Sequence, residues 1–218
     1  NRRMKLYAIS GLGADERVFQ YLKLEHELIP IPWLTPEKGE PIEGYAKRMA
    51  EKINTEEEFG IMGVSFGGLV AVEMSKVLKP KVAVLISSTQ TKDGLRSLYK
   101  LFGKTGFNKI VPAKLFDMPK GIAKFLFGTN ETELLNNILN DTDESFTKWA
   151  VNELISWKNE EKIENCIQIN GTKDKLIPPN KTEEQILIEG GQHFMIVDKA
   201  NEISKIINNK LRGFSPNI

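Results

Sequence analysis

Apolar residues fall along this chain in two registers: short unbroken runs, and longer segments in which they recur every three or four positions. An unbroken run suits a strand buried on both faces, as in a parallel sheet covered by helices, whereas the three-to-four spacing suits the covering helices. The runs predict six parallel strands at Lys5 to Ser10, Leu28 to Ile31, Gly60 to Val64, Val82 to Ile86, Cys166 to Ile169 and Ile186 to Ile188. Between them, Pro41 to Ile53 opens with a proline suited to a first helical turn. Phe66 to Leu78 puts Leu69, Val70, Met74, Val77 and Leu78 on one stripe, and Ala200 to Leu211 repeats Ile203, Ile206 and Ile207. Each segment is long enough to cross over a sheet, and Pro80 ends the second, because proline cannot extend a helix. Alternating strands and helices predict an α/β class, doubly wound around a mainly parallel six-stranded sheet.

The pattern changes after Thr89. As far as Trp157 there are helix-like segments and no convincing strand, which predicts a helical cap inserted at about 90–159 into a core of about 4–89 and 160–213. Leu95, Leu98, Tyr99 and Phe102 have helical spacing, and Thr129-Asn130-Glu131-Thr132-Glu133 reads as a helix start before Leu134, Leu135, Ile138 and Leu139. Six of the eleven phenylalanines and two of the three tryptophans fall in this insertion. They serve either as the insertion's own core or as the walls of an apolar pocket.

Composition narrows the classes. At 218 residues the chain suits one domain with a real core. Thirty basic against twenty-nine acidic residues leave a net charge of +1, too little to sustain the positive field of non-specific nucleic-acid binding. The single cysteine, Cys166, allows no internal disulfide and no thiolate cluster for zinc or iron–sulfur chemistry, and no metal or other cofactor is expected. No stretch approaches the roughly 18 apolar residues of a membrane span. The apolar segment after Arg2 and Arg3 runs only from Leu6 to Ile9, too short for a signal peptide, so the expected location is cytoplasmic. Lys100, Lys104, Lys109, Lys114, Lys120 and Lys124 lie in the first half of the insertion, as a solvated face or as an attraction for an anionic acyl carrier.

The strongest candidate chemistry lies at Gly63-Val64-Ser65-Phe66-Gly67, where an apolar strand meets an amphipathic helix. Two glycines and a serine at this spacing arise by chance in roughly 6 per cent of chains of this composition, so the strand-to-helix context carries the argument. A nucleophile on a sharp turn needs small neighbours two residues away on each side, as Gly63 and Gly67 are, with Gly68 adding room. A serine hydroxyl also needs a base within reach and donors aimed at the developing oxyanion. Only His26 and His193 can be that base. His193 follows the last predicted strand in the loop Glu189-Gly190-Gly191-Gln192-His193-Phe194, where an open α/β sheet builds its site, whereas His26 stands between glutamates as a surface residue.

The acid is sought after another strand. Asp174 ends Asn170-Gly171-Thr172-Lys173-Asp174, behind the strand at Cys166; an Asx turn or helix cap is the other use of aspartate there, and Asp93 is the reserve. For the oxyanion, Phe66 offers the amide after the nucleophile, and Leu12 offers a second from Ser10-Gly11-Leu12-Gly13, unless that segment is a plain glycine turn.

With these four signals in the order Ser, Asp, His, the chain resembles the α/β-hydrolase superfamily, which includes small carboxylesterases of the pimeloyl carrier-protein methyl esterase type. The likeness covers most of the chain outside the insertion. It implies the α/β-hydrolase fold and a serine hydrolase that cleaves a small acyl substrate, an ester or thioester, through an acyl-enzyme. Carbon–carbon bond cleavage with the same three residues, or ligand binding without turnover, are the alternatives. Two departures stand out: Ser10 replaces the histidine that many relatives carry before the oxyanion glycine, and the family's first two strands have no counterpart.

Overall fold

The computed structural model describes residues 3–12, 14–104 and 128–214. A wholly parallel sheet runs through its centre in the order β2-β1-β3-β4-β5-β6. The strands are β1 (Lys5–Ile9), β2 (Glu27–Pro30), β3 (Phe59–Val64), β4 (Val82–Ile86), β5 (Cys166–Gly171) and β6 (Ile186–Ile188). Pro30, which has no amide to give a ladder, sits on the edge strand β2, where the loss does no harm.

The inner strands are apolar throughout because both of their faces are covered. Side chains alternate across the sheet, so Tyr7, Ile9, Ile61 and Leu85 join one core cluster while Leu6, Ala8, Met62, Val64, Val84 and Ile86 join the other. The first cluster is closed by α1 (Ile42–Ala50) and α2 (Phe66–Leu78), and the second by α6 (Met195–Asp198) and α7 (Ala200–Leu211). Helix α1 ends three residues before the expected Ile53 because Lys52 and Ile53 donate to Met49 and Ala50, a tightening into three-residue turns. Helix α2 is buried on every side from Phe66 to Ser75; Val77, assigned to the buried stripe by spacing, is 51 % exposed.

Within 90–159, the described residues hold α3 (Arg96–Lys104), α4 (Thr132–Asn140) and α5 (Glu144–Ser156), with no strand. The start of α5 is fixed by Asp143, whose side chain accepts the Phe146 amide at 2.7 Å. Lys100 is exposed on α3, whereas Lys109, Lys114, Lys120, Lys124 and the phenylalanines at 107, 116, 125 and 127 lie outside the described residues. So does Gly13.

The order of the strands determines where a site can form. From β1 the chain steps outward to β2, then returns to the far side of β1 for β3, and all later strands continue in that direction. The loops leaving β1 and β3 therefore diverge, opening a crevice at the carboxyl ends of two adjacent strands. Leu12 follows β1 and Ser65 follows β3.

Candidate active site

Ser65 occupies the single residue between β3 and α2, with φ 53 and ψ −121, a conformation that L residues rarely adopt. Surrounding contacts over-determine it: its amide donates to Ile86 O at 3.0 Å, and its carbonyl accepts from the Gly68 amide at 2.9 Å and from Ser88 Oγ at 2.8 Å. Close approach of backbones dictates the flanking glycines. A Cβ on Gly63 would stand 2.4 Å from Gly67 O, and one on Gly67 would stand 2.0 Å from Ser10 O. Helix α2 thus begins in contact with both its own strand and the end of β1.

The loops after β5 and β6 are joined at several points. Lys173 N donates to Gly191 O at 2.9 Å, Gly190 N to Thr172 Oγ1 at 2.9 Å and Thr172 N to Ile188 O at 3.0 Å. Gly171 permits the approach, since a Cβ there would meet Gly191 O at 2.2 Å. This pairing brings Asp174 to His193: Asp174 Oδ2 accepts from His193 Nδ1 at 2.8 Å. Asp174 Oδ1 accepts the amides of Leu176 and Ile177, both at 2.9 Å. On the other edge of the imidazole, His193 Nε2 lies 2.8 Å from Ser65 Oγ. Asp174 and His193 are buried, while Ser65 remains partly open.

Hydroxyl, imidazole and carboxylate therefore form one hydrogen-bonded line. With Nδ1–H donating to the carboxylate, Nε2 faces the hydroxyl as an acceptor, the arrangement needed to take its proton. Asp93 is elsewhere, paired with Arg96 at 2.8 Å. His26 is not the surface residue its neighbours suggest: it is half-buried, its Nδ1 accepts the Met4 amide at 3.1 Å, and burial lowers its pKa. The Cys166 thiol is pushed up to about 12 by burial, with the Glu183 carboxylate adding to the effect.

The turn after β1 passes against the serine, because a Cβ on Gly11 would lie 3.4 Å from Ser65 Cβ. Ser10 braces that turn: its Oγ donates to Ala14 O at 2.8 Å, as Trp33 Nε1 does at 3.2 Å. Phe66 opens α2, where an amide has no acceptor within the helix and the helix dipole favours negative charge. Leu12 is half-buried beside the first core cluster.

Aromatic side chains from core and insertion meet beside Phe66: Trp33 lies 4.9 Å from Phe146 and 5.9 Å from Phe66, and Trp149 lies 4.4 Å from Tyr45, between ring centres. A cavity of about 330 Å³ opens next to this group, lined by Ser10, Asp15, Trp33, Leu34, Asp143 and Phe146 among others. Arg17 spans its rim, 2.6 Å from Asp15 and 2.8 Å from Asp141, and its guanidinium holds the Asp15 carboxyl below the usual aspartate range.

Sequence reasoning missed Ser88 and its surroundings. Ser87-Ser88-Thr89-Gln90-Thr91, a polar run that reads as an exposed loop, is buried, and the carboxylate of buried Glu183 accepts from Thr89 Oγ1, Thr91 Oγ1 and Gln168 Nε2. The available signal was position, since the run leaves the strand beside the one that carries Ser65.

No protein-family model and no curated protein matches the sequence. Among solved structures, a thermophilic esterase from Thermogutta terrifontis superposes with a TM-score of 0.73 at 11% identity, over 98% of this chain and 91% of that one. An epoxide hydrolase from Bacillus megaterium gives 0.72 at 10%, over 97% and 94%. The RedJ thioesterase of the prodiginine pathway in Streptomyces coelicolor gives 0.66 at 13%, over 95% and 85%. Identities this low speak to architecture alone, and the architecture of this chain is the α/β-hydrolase fold.

Proposed function

We propose that this chain is a serine hydrolase that cleaves a carboxylic ester or thioester through an acyl-enzyme. The observation that carries the reading is the unbroken line from Ser65 Oγ through His193 to Asp174, 2.8 Å at each step, starting from a serine held at φ 53. Ser65 Oγ attacks the substrate carbonyl as its proton passes to His193 Nε2, and Asp174 holds the ring and stabilises the imidazolium. The amides of Phe66 and Leu12 bind the tetrahedral oxyanion. Collapse of that intermediate breaks the bond to the alcohol or thiol, which leaves with the proton from Nε2. Water, deprotonated by His193, then attacks the acyl-enzyme, releases the acid and restores Ser65.

The names of the structural neighbours support hydrolysis, and the residue at the elbow supports the ester or thioester class. Epoxide-hydrolase relatives carry aspartate as nucleophile, whereas this chain has Ser65. In the same reading, 90–159 is a cap over the core, its α5 rings closing on Trp33 and Phe66 to wall an apolar substrate group. A cytoplasmic location belongs to the proposal as well.

A fluorophosphonate probe tests it. The expected result is labelling of the wild type, none of Ser65→Ala, and turnover of short p-nitrophenyl esters by the wild type alone. A ligand-binding role without turnover predicts no labelling of either protein.

A further inference from the structure

We propose that Ser88 is a positioning residue for the oxyanion site, acting through the peptide group that joins Ser65 to Phe66. The inference rests on the reading above, in which the Phe66 amide receives the developing negative charge.

A trans peptide is planar, so the Ser65 carbonyl and the Phe66 N–H belong to one rigid plate and point in opposite directions. Whatever fixes the direction of the carbonyl fixes the direction of the amide. Two donors hold that carbonyl, the Gly68 amide at 2.9 Å and Ser88 Oγ at 2.8 Å. The Gly68 bond is internal to the helix start and moves with it. Ser88 belongs to another element, the segment leaving β4, and refers the plate to the sheet.

Ser88 is itself held firmly. It is fully buried, and its carbonyl accepts from Asn170 Nδ2 at 3.0 Å and Gln168 Nε2 at 3.2 Å, both on β5. Gln168 Nε2 also donates to Glu183 at 2.8 Å, and the same carboxylate accepts the Thr91 amide at 2.9 Å. The hydroxyl at 88 thus carries the position of β4 and β5 to the plate at the elbow. Room for it comes from Gly68, where a Cβ would stand 2.1 Å from Ser88 Oγ. That contact gives Gly68 a purpose apart from the two glycines of the serine motif.

The bond also has an electronic effect. Donation to a peptide carbonyl polarises the group and makes its N–H a stronger donor, as in other hydrogen-bonded chains. Ser88 therefore both aims the Phe66 amide and strengthens it, acting through the Ser65 carbonyl.

The test compares wild type, Ser88→Ala and Ser88→Cys on a short p-nitrophenyl ester and with a trifluoromethyl ketone, which adds to the serine to form a tetrahedral oxyanion. For Ser88→Ala the expected fall in kcat/KM is about 10- to 100-fold, somewhat less than deletion of a whole oxyanion donor. The ketone inhibition constant should rise by the same factor, and the pH at which the rate half-falls on the acid side should stay in place. Ser88→Cys fills the site with a slightly larger and weaker donor, so its loss should be intermediate; if Ser88→Ala does not fold, this variant decides by the same measures. Folded Ser88→Ala with kcat/KM within about three-fold of wild type overturns the proposal, as does a rate loss without weaker ketone binding. A wild type that neither labels with fluorophosphonate nor turns over esters removes the hydrolase reading itself, a failure separate from that of Ser88.

Discussion

Replacing Asp174 by asparagine changes little in shape and reverses the chemistry of His193. The side chain is fully buried, with Oδ1 accepting two backbone amides at 2.9 Å and Oδ2 facing His193 Nδ1 at 2.8 Å. In Asp174→Asn the amide oxygen keeps the place of Oδ1, because turning the group round would set its NH₂ against the Leu176 and Ile177 amides, donor against donor. The NH₂ then donates to His193 Nδ1, which drives the ring proton onto Nε2 and leaves no acceptor for the Ser65 hydroxyl. The active tautomer requires the reversed amide, and two unpaired buried N–H groups cost about 1–3 kcal/mol each, so about 2–6 kcal/mol in all. At 1.36 kcal/mol per tenfold, kcat/KM should fall by about 30-fold to 3 × 10⁴-fold. The assay is initial-rate hydrolysis of p-nitrophenyl butyrate, with ¹⁵N chemical shifts of His193 reporting which nitrogen bears the proton. Rates within about three-fold of wild type, or a folded variant whose His193 still carries its proton on Nδ1, would refute the reasoning.

Three further perturbations test the scaffold. Gly67→Ala puts a Cβ 2.0 Å from Ser10 O and 2.6 Å from Ile9 O, both backbone atoms of the β1 end, and should cost about 3 kcal/mol or more in urea unfolding; a midpoint equal to wild type contradicts the packing argument. Lys79 ends α2 in the left-handed region at φ 47, so Lys79→Gly should gain about 0.5–1 kcal/mol and raise Tm by about 1–4 °C, whereas a lower Tm would show that no strain was there to relieve. Glu153, on α5, accepts the first amide of α1 at 2.9 Å, yet burial raises its pKa above the ordinary glutamate range. The native state then keeps the proton to higher pH than the unfolded chain does, so this group withdraws stability as pH rises from the ordinary glutamate value through the raised one. Glu153→Gln should keep the hydrogen bond and flatten Tm against pH just above the ordinary glutamate value; a slope there equal to wild type would show that Glu153 is not its source.

The fold is legible because the inner strands are buried on both faces. Val82 to Ile86 and Gly60 to Val64 have no polar residue to confuse the period, and Phe66–Leu78 and Ala200–Leu211 have bounds set by a glycine-rich turn, a following proline and a regular isoleucine spacing. Legibility falls where tertiary contacts override spacing. Val77 has the right position for the stripe of α2, but that helix is covered all round only as far as Ser75, and its last turn is open to solvent at Val77. His26 misleads for the opposite reason: two flanking glutamates suggest solvent, while the Met4 amide, twenty-two residues earlier in the chain, buries one ring nitrogen.

At the candidate site, the line from Ser65 to Asp174 is legible as three strand ends that the topology brings to one rim. The support beneath it is not, and the reason is physical. Glycines announce a tight backbone approach in sequence because only one residue type fits, but a hydroxyl that donates to a carbonyl twenty-three positions away, as Ser88 does, has no residue-type signature. Serine, threonine and glutamine are common in exposed loops, and only burial separates Ser87-Ser88-Thr89-Gln90-Thr91 from such a loop. Burial of five consecutive polar residues costs less where partners are supplied, and Glu183, Gln168 and Asn170, all from beyond residue 165, supply many of them. A chemical group can thus be read from local pattern when it must stand at a strand end. The groups that hold it in place are chosen by the three-dimensional neighbourhood, so the second layer of this site emerges only once β4 and β5 lie side by side.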